Sequence, residues 1–158
     1  QEEFQRQFDF LVEVRDRVSE ANQTITDIRD LRKDLNYLND KLSDDETYKE
    51  VLDVTKNMDK EMKVIENNIH ETQNQSYQDP LNFGIKVNNR LAFLMQDQQR
   101  GDYPPTDQAT EVKDQLTEEL NGYLEDWEQF QSEMLPKLND LLENKGFQML
   151  SKERKVAN

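Results

Sequence analysis

The chain has no cysteine and few of the residues that interrupt helices, since its 158 residues include four glycines and four prolines. Without cysteine there is no disulfide bond, no thiolate nucleophile and no zinc site built on sulfur. An all-β domain needs turn residues spread along its length, so the scarcity of glycine and proline argues against one. These absences favour long, uninterrupted helices.

Positive charge is also scarce: 20 lysines and arginines stand against 34 acidic residues, and the formal net charge is −14. Such a charge repels phosphate backbones and anionic lipid, so we expect no nucleic-acid partner. No stretch approaches the roughly 20 apolar residues of a membrane-spanning helix, so we expect no membrane insertion. Residues 1–4 are unlike a signal peptide, and we expect a segment of a longer protein.

Apolar residues follow a helical period from the start of the chain. Between 3 and 42 they recur every seven residues along two lines, which are Phe4, Leu11, Val18 and Ile25, and Val14, Ala21, Ile28, Leu35 and Leu42. A helix of this length extends roughly 60 Å and is not stable by propensity alone. Its apolar stripe must therefore pack on partners of similar length.

Three further helices are predicted at about 45–73, 80–99 and 106–144. Acidic residues at 44–46 mark the start of the second, Pro80 lies in the first turn of the third, and Thr106 caps the fourth. The third is apolar on more than one side, so we expect it to be the most buried. Pro136 is expected to kink or divide the fourth.

Four helices with short links predict an all-α fold, an up-down-up-down antiparallel four-helix bundle with long helices over residues 1–146. Residues 147–158 form a C-terminal segment that we expect to be partly packed and then mobile. A closed bundle favours a monomer. The alternative is self-association through the long first helix, which would give a dimer.

The sequence offers no convincing catalytic, cofactor or metal site. His70 is the single histidine, and the pair Glu66 and His70 lacks the Glu-x-x-His spacing that a di-iron bundle repeats on two helices. Ten acidic residues between 111 and 143 could include a catalytic pair, but they lie mostly off the apolar stripe. We interpret them as a solvated face.

Aromatic and polar residues late in the chain suggest different roles. The helical spacing of Tyr123, Trp127 and Phe130 predicts core positions, whereas Tyr103 beside Pro104 is expected on an exposed turn. Asn88 and Arg90 are polar residues in the apolar third helix. We expect them to bond to backbone or carboxylates and to fix the position of that helix.

Two segments carry a family resemblance: QFDFL at 7–11 with the helix that follows, and PLNFGIKVNNRLA at 80–92. Together with Gly-Asp at 101–102, PTDQA at 105–109 and Pro136, they resemble the helical C-terminal region of bacterial sortilin-like, BNR-repeat glycosyl-hydrolase-like proteins. Such proteins begin with a β-propeller of Asp-box repeats and are typically exported. The resemblance implies a periplasmic, cell-surface or secreted location, and any hydrolase activity would reside in the propeller.

We therefore predict a non-enzymatic accessory domain that docks on its own N-terminal propeller or on a cell-envelope protein. Its predicted interaction surface consists of Asn82, Arg90, Asp102, Tyr103, Pro104 and Thr106. The alternative is an accessory carbohydrate-binding or hydrolase-associated domain, suggested by the family's name and by an exposed aromatic residue near the prolines.

Overall fold

A computed structural model describes residues 2–72, 84–101 and 103–146. In this part of the chain the helices are α1 (Glu2–Leu42), α2 (Lys49–Ile69), α3 (Val87–Gln98) and α4 (Asp107–Asn144), with a short 3-10 helix at Glu46–Tyr48 before α2. They pack around one hydrophobic core, and no strand occurs among the described residues. The all-α four-helix bundle predicted from the sequence is confirmed.

The course of the helices follows from side-chain pairs between them. Arg32 pairs with Asp59 and Arg29 with Glu66, so α1 and α2 are antiparallel, as predicted. Helices α1 and α4 run in the same direction, because residue numbers increase along both at their contacts. Glu13 pairs with Lys113, and Arg17 bonds to Asn121.

Helix α3 continues in the direction of α2, which interrupts the strict alternation expected from the sequence. Its first turn lies beside the end of α2, where Asn88 meets His70, and its last turn lies beside Gln7 near the start of α1. The reason is length: α2 extends about 32 Å and α1 about 62 Å. Helix α3 covers the N-terminal half of the α1 stripe, which α2 does not reach.

One of the two predicted apolar lines of α1 forms the core, and the other does so only in part. Val14, Ala21, Ile28, Leu35 and Leu42 are all buried, together with Ile25 from the second line. In that second line Leu11 and Val18 are half-buried, and Phe4 is exposed. The prediction that Phe4 belongs to the core stripe was therefore wrong.

Helix α3 is shorter and less buried than predicted. It begins at Val87, and Gly84, Ile85 and Lys86 before it are not helical, with Lys86 in an extended conformation. Glycine and β-branched isoleucine both disfavour helix, which agrees with this late start. Phe93 is exposed, because a short helix on the outside of two long ones buries one face, and Ile85 before the helix is exposed as well. Pro80 lies outside the described residues.

Helix α4 agrees closely with its predicted bounds. The Thr106 side chain accepts a hydrogen bond from the Ala109 N–H, as expected of an N-cap, and the helix runs through Pro136 without being divided. Trp127 and Phe130 are buried and stacked with ring centroids 5.4 Å apart, and Tyr123 is half-buried. After α4, Gly146 has a positive φ of 79°. The segment predicted at 147–158 lies outside the described residues.

Candidate interaction surface

The end of the bundle where α1 begins and α3 connects to α4 holds most of the described residues predicted to bind a partner. We call it the Tyr103 end and define it as residues 4–8 with 99–101 and 103–106. Its backbone is held by one buried side chain. The amide nitrogen Nε2 of Gln7 donates to the carbonyl of Gln98 at 2.9 Å and to that of Gly101 at 2.5 Å.

The bond to Gln98 satisfies a carbonyl at the end of α3, and the bond to Gly101 holds the connection that follows the helix. The last carbonyls of a helix have no N–H partner within it, and here a side chain of α1 supplies the donor. Gln7 is buried although it is polar, which is consistent with an amide whose N–H groups are engaged. The link fixes the α3–α4 connection against the start of α1.

The ring of Tyr103 lies against Gly101. A Cβ atom added at Gly101 would be 2.0 Å from Cε1 of Tyr103, so any larger residue at 101 displaces the ring. Tyr103 is itself 51% exposed, whereas Pro104 and Pro105 beside it are half-buried. Tyr103 is thus an exposed aromatic residue on a short connection with two prolines, as predicted.

Two further aromatic residues are exposed at this end. Phe4 is 68% and Phe8 56% exposed, and they lie one helical turn apart on either side of Gln7 in sequence. Residues four apart share a face of a helix, so the two rings present one apolar strip to solvent. The Tyr103 end therefore carries three exposed aromatic side chains.

The structure brings together only part of the predicted surface. Tyr103, Pro104 and Thr106 lie on the α3–α4 connection. Arg90 lies elsewhere, since its guanidinium pairs with Glu119 of α4 at 2.8 Å and α4 rises about 20 Å from Thr106 to Glu119. Asn82 and Asp102 lie outside the described residues.

A second polar feature joins α1 to α2 near the middle of the bundle. Five side chains of alternating charge form what we call the charge ladder, in the order Arg29, Glu66, Arg32, Asp59 and Lys63. Each oxygen of Glu66 accepts from one arginine, at 2.6 Å from Arg29 Nε and 2.8 Å from Arg32 Nη1. The side chain of Glu66 is only 3% exposed, so this carboxylate is both buried and paired.

Asp59 continues the ladder. Arg32 Nε donates to one of its oxygens at 2.9 Å, and Lys63 Nζ lies 2.5 Å from the other. Partial burial favours the neutral acid, but the hydrogen bonds and charges of Lys63 and Arg32 outweigh it and hold the pKa of Asp59 below its usual value. The ladder thus links the two helices through ionised groups.

Glu66 and His70, the pair considered as a metal site, do not point to a common centre. Glu66 is engaged by two arginines, and His70 faces Asn88, whose Nδ2 lies 3.3 Å from the ring nitrogen Nδ1. Asn88 was expected to bond to backbone or to a carboxylate, so its partner differs from the prediction, whereas Arg90 does pair with a carboxylate. Among the described residues no group of three or more potential ligands could hold a metal.

Most acidic residues of α4 are exposed, in agreement with a solvated face; Glu111, Asp114, Glu118, Glu125, Asp126 and Glu128 all belong to this exposed set. Glu119 is the exception. It is half-buried and accepts from the Tyr123 hydroxyl at 3.4 Å. Burial and the negative charge of Glu119 raise the pKa of Tyr123, so its hydroxyl remains a neutral donor.

Two features were not predicted from the sequence: the burial of Gln7 and the charge ladder. Gln7 occupies the heptad position before Val14, Ala21 and Ile28, so its burial could have been inferred from that line. The charge ladder had a weaker signal, because its residues lie at ordinary surface spacing on two separate helices. Only the antiparallel alignment of α1 and α2 brings them together.

No protein-family model, curated protein or solved structure matches this chain. The resemblance to the sortilin-like, BNR-repeat family therefore stays a prediction. None of the helices in the described ranges is long and apolar enough to cross a membrane.

Proposed function

We propose that this chain is a non-enzymatic helical bundle that docks on a protein partner through the Tyr103 end. The observation that carries the proposal is the exposure of Phe4, Phe8 and Tyr103 at one end of the bundle. Exposed aromatic residues are frequent anchors of protein interfaces, because they bury a large apolar area with few rotatable bonds.

The Tyr103 end is supported by α1 and α4, and this support makes it better suited to docking than a flexible loop would be. Gln7 ties the backbone on both sides of Arg100 to α1, and Thr106 begins α4 directly after the two prolines. A surface held in one conformation loses little entropy when a partner binds. The hydrogen bonds of Gln7 thus support the backbone from which Tyr103 projects.

The proposed partner is the N-terminal propeller of a longer protein, or else a neighbouring protein of the cell envelope. This part of the proposal rests on the family resemblance, and so does the proposed periplasmic, cell-surface or secreted location. The partner surface should be apolar where it meets the aromatic residues. We propose a monomer, since all four described helices share one core within the chain.

Calorimetric titration of the bundle into the separately expressed propeller tests this proposal. We expect saturable binding, weakened about tenfold or more by Tyr103→Ala or Phe8→Ala, as is typical of interface anchors. The matched control is Tyr37→Ala. Tyr37 is 67% exposed but lies near the other end of α1, about 45 Å away. Binding that all three variants weaken equally would contradict the assignment of the surface, and a titration without heat would eliminate the propeller as partner.

A second candidate is carbohydrate binding, favoured by the same exposed rings, because aromatic faces also stack on apolar faces of sugars. A panel of plant and bacterial glycans titrated against the whole chain separates the two candidates. Saturable binding that Tyr103→Ala abolishes would favour the carbohydrate. A flat response across the panel would leave the protein partner.

A further inference from the structure

A groove of about 460 Å³ lies over the charge ladder, between α1 and α2. Six of its eight lining residues carry side-chain hydrogen-bond donors: Arg29, Arg32, Lys63, Asn67, Asn68 and Thr72. A volume of this size lies within the range of about 300 to 1,000 Å³ typical of small-molecule sites. The groove is about 35 Å along α1 from the Tyr103 end and is independent of the proposed docking surface.

We propose that this groove binds a small phosphomonoester and that Arg29, Arg32 and Lys63 contact its phosphate group. The ladder contains three cations and two carboxylates, so it carries a formal charge of +1 in a protein whose net charge is −14. At ordinary ionic strength charges are screened over about 8 to 10 Å, so the distant acidic residues of the protein act only weakly on a ligand in the groove.

The two carboxylates are already occupied. Each of the four oxygens of Glu66 and Asp59 is paired with a cation, and the Glu66 side chain is nearly inaccessible to solvent. These acids therefore orient the cations more than they compete for them. The guanidinium of Arg32, held by both acids, is fixed in the middle of the ladder.

The cations at the ends of the ladder retain free donors. Arg29 uses Nε for Glu66 and its side chain is 54% exposed, and within residues 2–72, 84–101 and 103–146 its two terminal nitrogens have no hydrogen-bond partner. Lys63 is similarly exposed beside Asp59. One cation for each carboxylate would be enough to join the two helices. The ladder has three cations for two carboxylates, so one cation is not needed for that purpose.

The number of donors favours phosphate over a simple carboxylate. A phosphomonoester presents three terminal oxygens and a charge near −2, which can engage the two arginines and the lysine together. The planar guanidinium of Arg29, already oriented by Glu66, suits bidentate contact with two of those oxygens. Asn67, Asn68 and Thr72 add side chains that can bond to the rest of the ligand.

The test is an NMR titration of the whole chain with glycerol 2-phosphate and with inorganic phosphate, in buffers whose ionic strength is held constant with chloride. We expect saturable shifts of the Arg29 and Arg32 side-chain Nε–H signals and of the Asn67 and Asn68 amides. Arg29→Gln and Lys63→Gln should each weaken binding about tenfold. Both variants leave Arg32 with its two acids, and circular dichroism checks that they fold.

Lys60→Gln is the matched control, because Lys60 is an exposed lysine of α2 that does not line the groove. Unchanged binding in this variant supports the site. Equal weakening in all three variants, or shifts that never saturate, would overturn the proposal. Citrate binding as tightly as glycerol 2-phosphate would also overturn it, because the groove would then recognise carboxylates.

Discussion

Gln7 and Gly101, separated by 94 positions in the sequence, are joined by a hydrogen bond of 2.5 Å from the glutamine amide to the glycine carbonyl. The same nitrogen also donates to the carbonyl of Gln98, so Gln7→Ala leaves two carbonyls without this donor, one at the end of α3 and one in the α3–α4 connection. We expect the variant to lose about 1 to 3 kcal/mol of unfolding free energy, measured by urea denaturation.

Gln5→Ala is the control for this measurement. Gln5 is exposed and, among the described residues, bonds only to Asp9 on its own helix, so its removal should cost within about 0.5 kcal/mol. Equal losses in both variants would show that the contact between Gln7 and the α3–α4 connection contributes nothing specific to stability.

The sequence predicted the long helices well, because their apolar residues report one buried face along many turns. The line from Val14 to Leu42 is buried throughout, and Thr106 caps α4 by accepting a backbone hydrogen bond as expected. Such features depend on neighbours in the same helix. They are therefore readable without knowledge of the fold. The start of α2 was predicted less well, because Asp45 caps the 3-10 helix before it and α2 itself begins at Lys49.

The sequence predicted α3 and the interaction surface less well, because both depend on how separate helices align. Phe4 continues an apolar line but projects away from the core, and Arg90 faces Glu119 instead of the α3–α4 connection. The direction of α3 depends on how much of α1 remains uncovered by α2. No local pattern in the sequence encodes that quantity.

The charge ladder should make stability depend on pH through Asp59. Its pKa is lowered in the folded protein from an ordinary value of 3.8, so the unfolded chain binds the proton more readily. Its contribution to stability is therefore complete above the unfolded pKa and is lost as the pH falls through the folded pKa. We expect Asp59→Asn to be less stable than the parent at pH 6.

Urea unfolding of the parent and of Asp59→Asn at several pH values between 6 and 3 checks this expectation. The stability difference between the two proteins should shrink below the ordinary pKa of 3.8, where Asp59 of the unfolded parent takes up a proton while the folded parent still keeps the charge. A difference that stays constant to the lowest pH would mean that the ionised form of Asp59 is not the one favoured by folding.

Asn88 combines one hydrogen bond with one unsatisfied atom. Its Nδ2 lies 3.3 Å from His70, but its Oδ1 is buried and has no hydrogen-bond partner in the part of the chain that the structure describes. Asn88→Ala removes both, and the two effects oppose each other, so we expect a loss below about 1 kcal/mol. By contrast Leu91→Ala, one turn away and fully buried, should cost about 2 to 5 kcal/mol.

Chemical denaturation of the two variants of α3 gives the comparison directly. A loss for Asn88→Ala as large as that for Leu91→Ala would show that the contact between Asn88 and His70 is essential to the junction of α2 and α3. The smaller loss expected here would instead mean that apolar packing of Leu91 holds α3 on α1 and α4.

Pro136 lies inside α4, although proline is the least favourable residue in a helix interior. It has no N–H to donate to the carbonyl of Ser132, four residues earlier, and its ring crowds that turn. Because Pro136 is exposed, its replacement should disturb no core contact. We expect Pro136→Ala to raise the free energy of unfolding by about 1 to 3 kcal/mol.

The neighbouring exposed residue Lys137 supplies the control, since lysine and alanine have similar helix propensity and Lys137→Ala should change stability by less than about 0.5 kcal/mol. Thermal and urea unfolding of both variants decide the matter. If Pro136→Ala were instead less stable than the parent, the proline would be needed for the path of α4. The penalty of a proline inside a helix would then be outweighed by packing that only its bend permits.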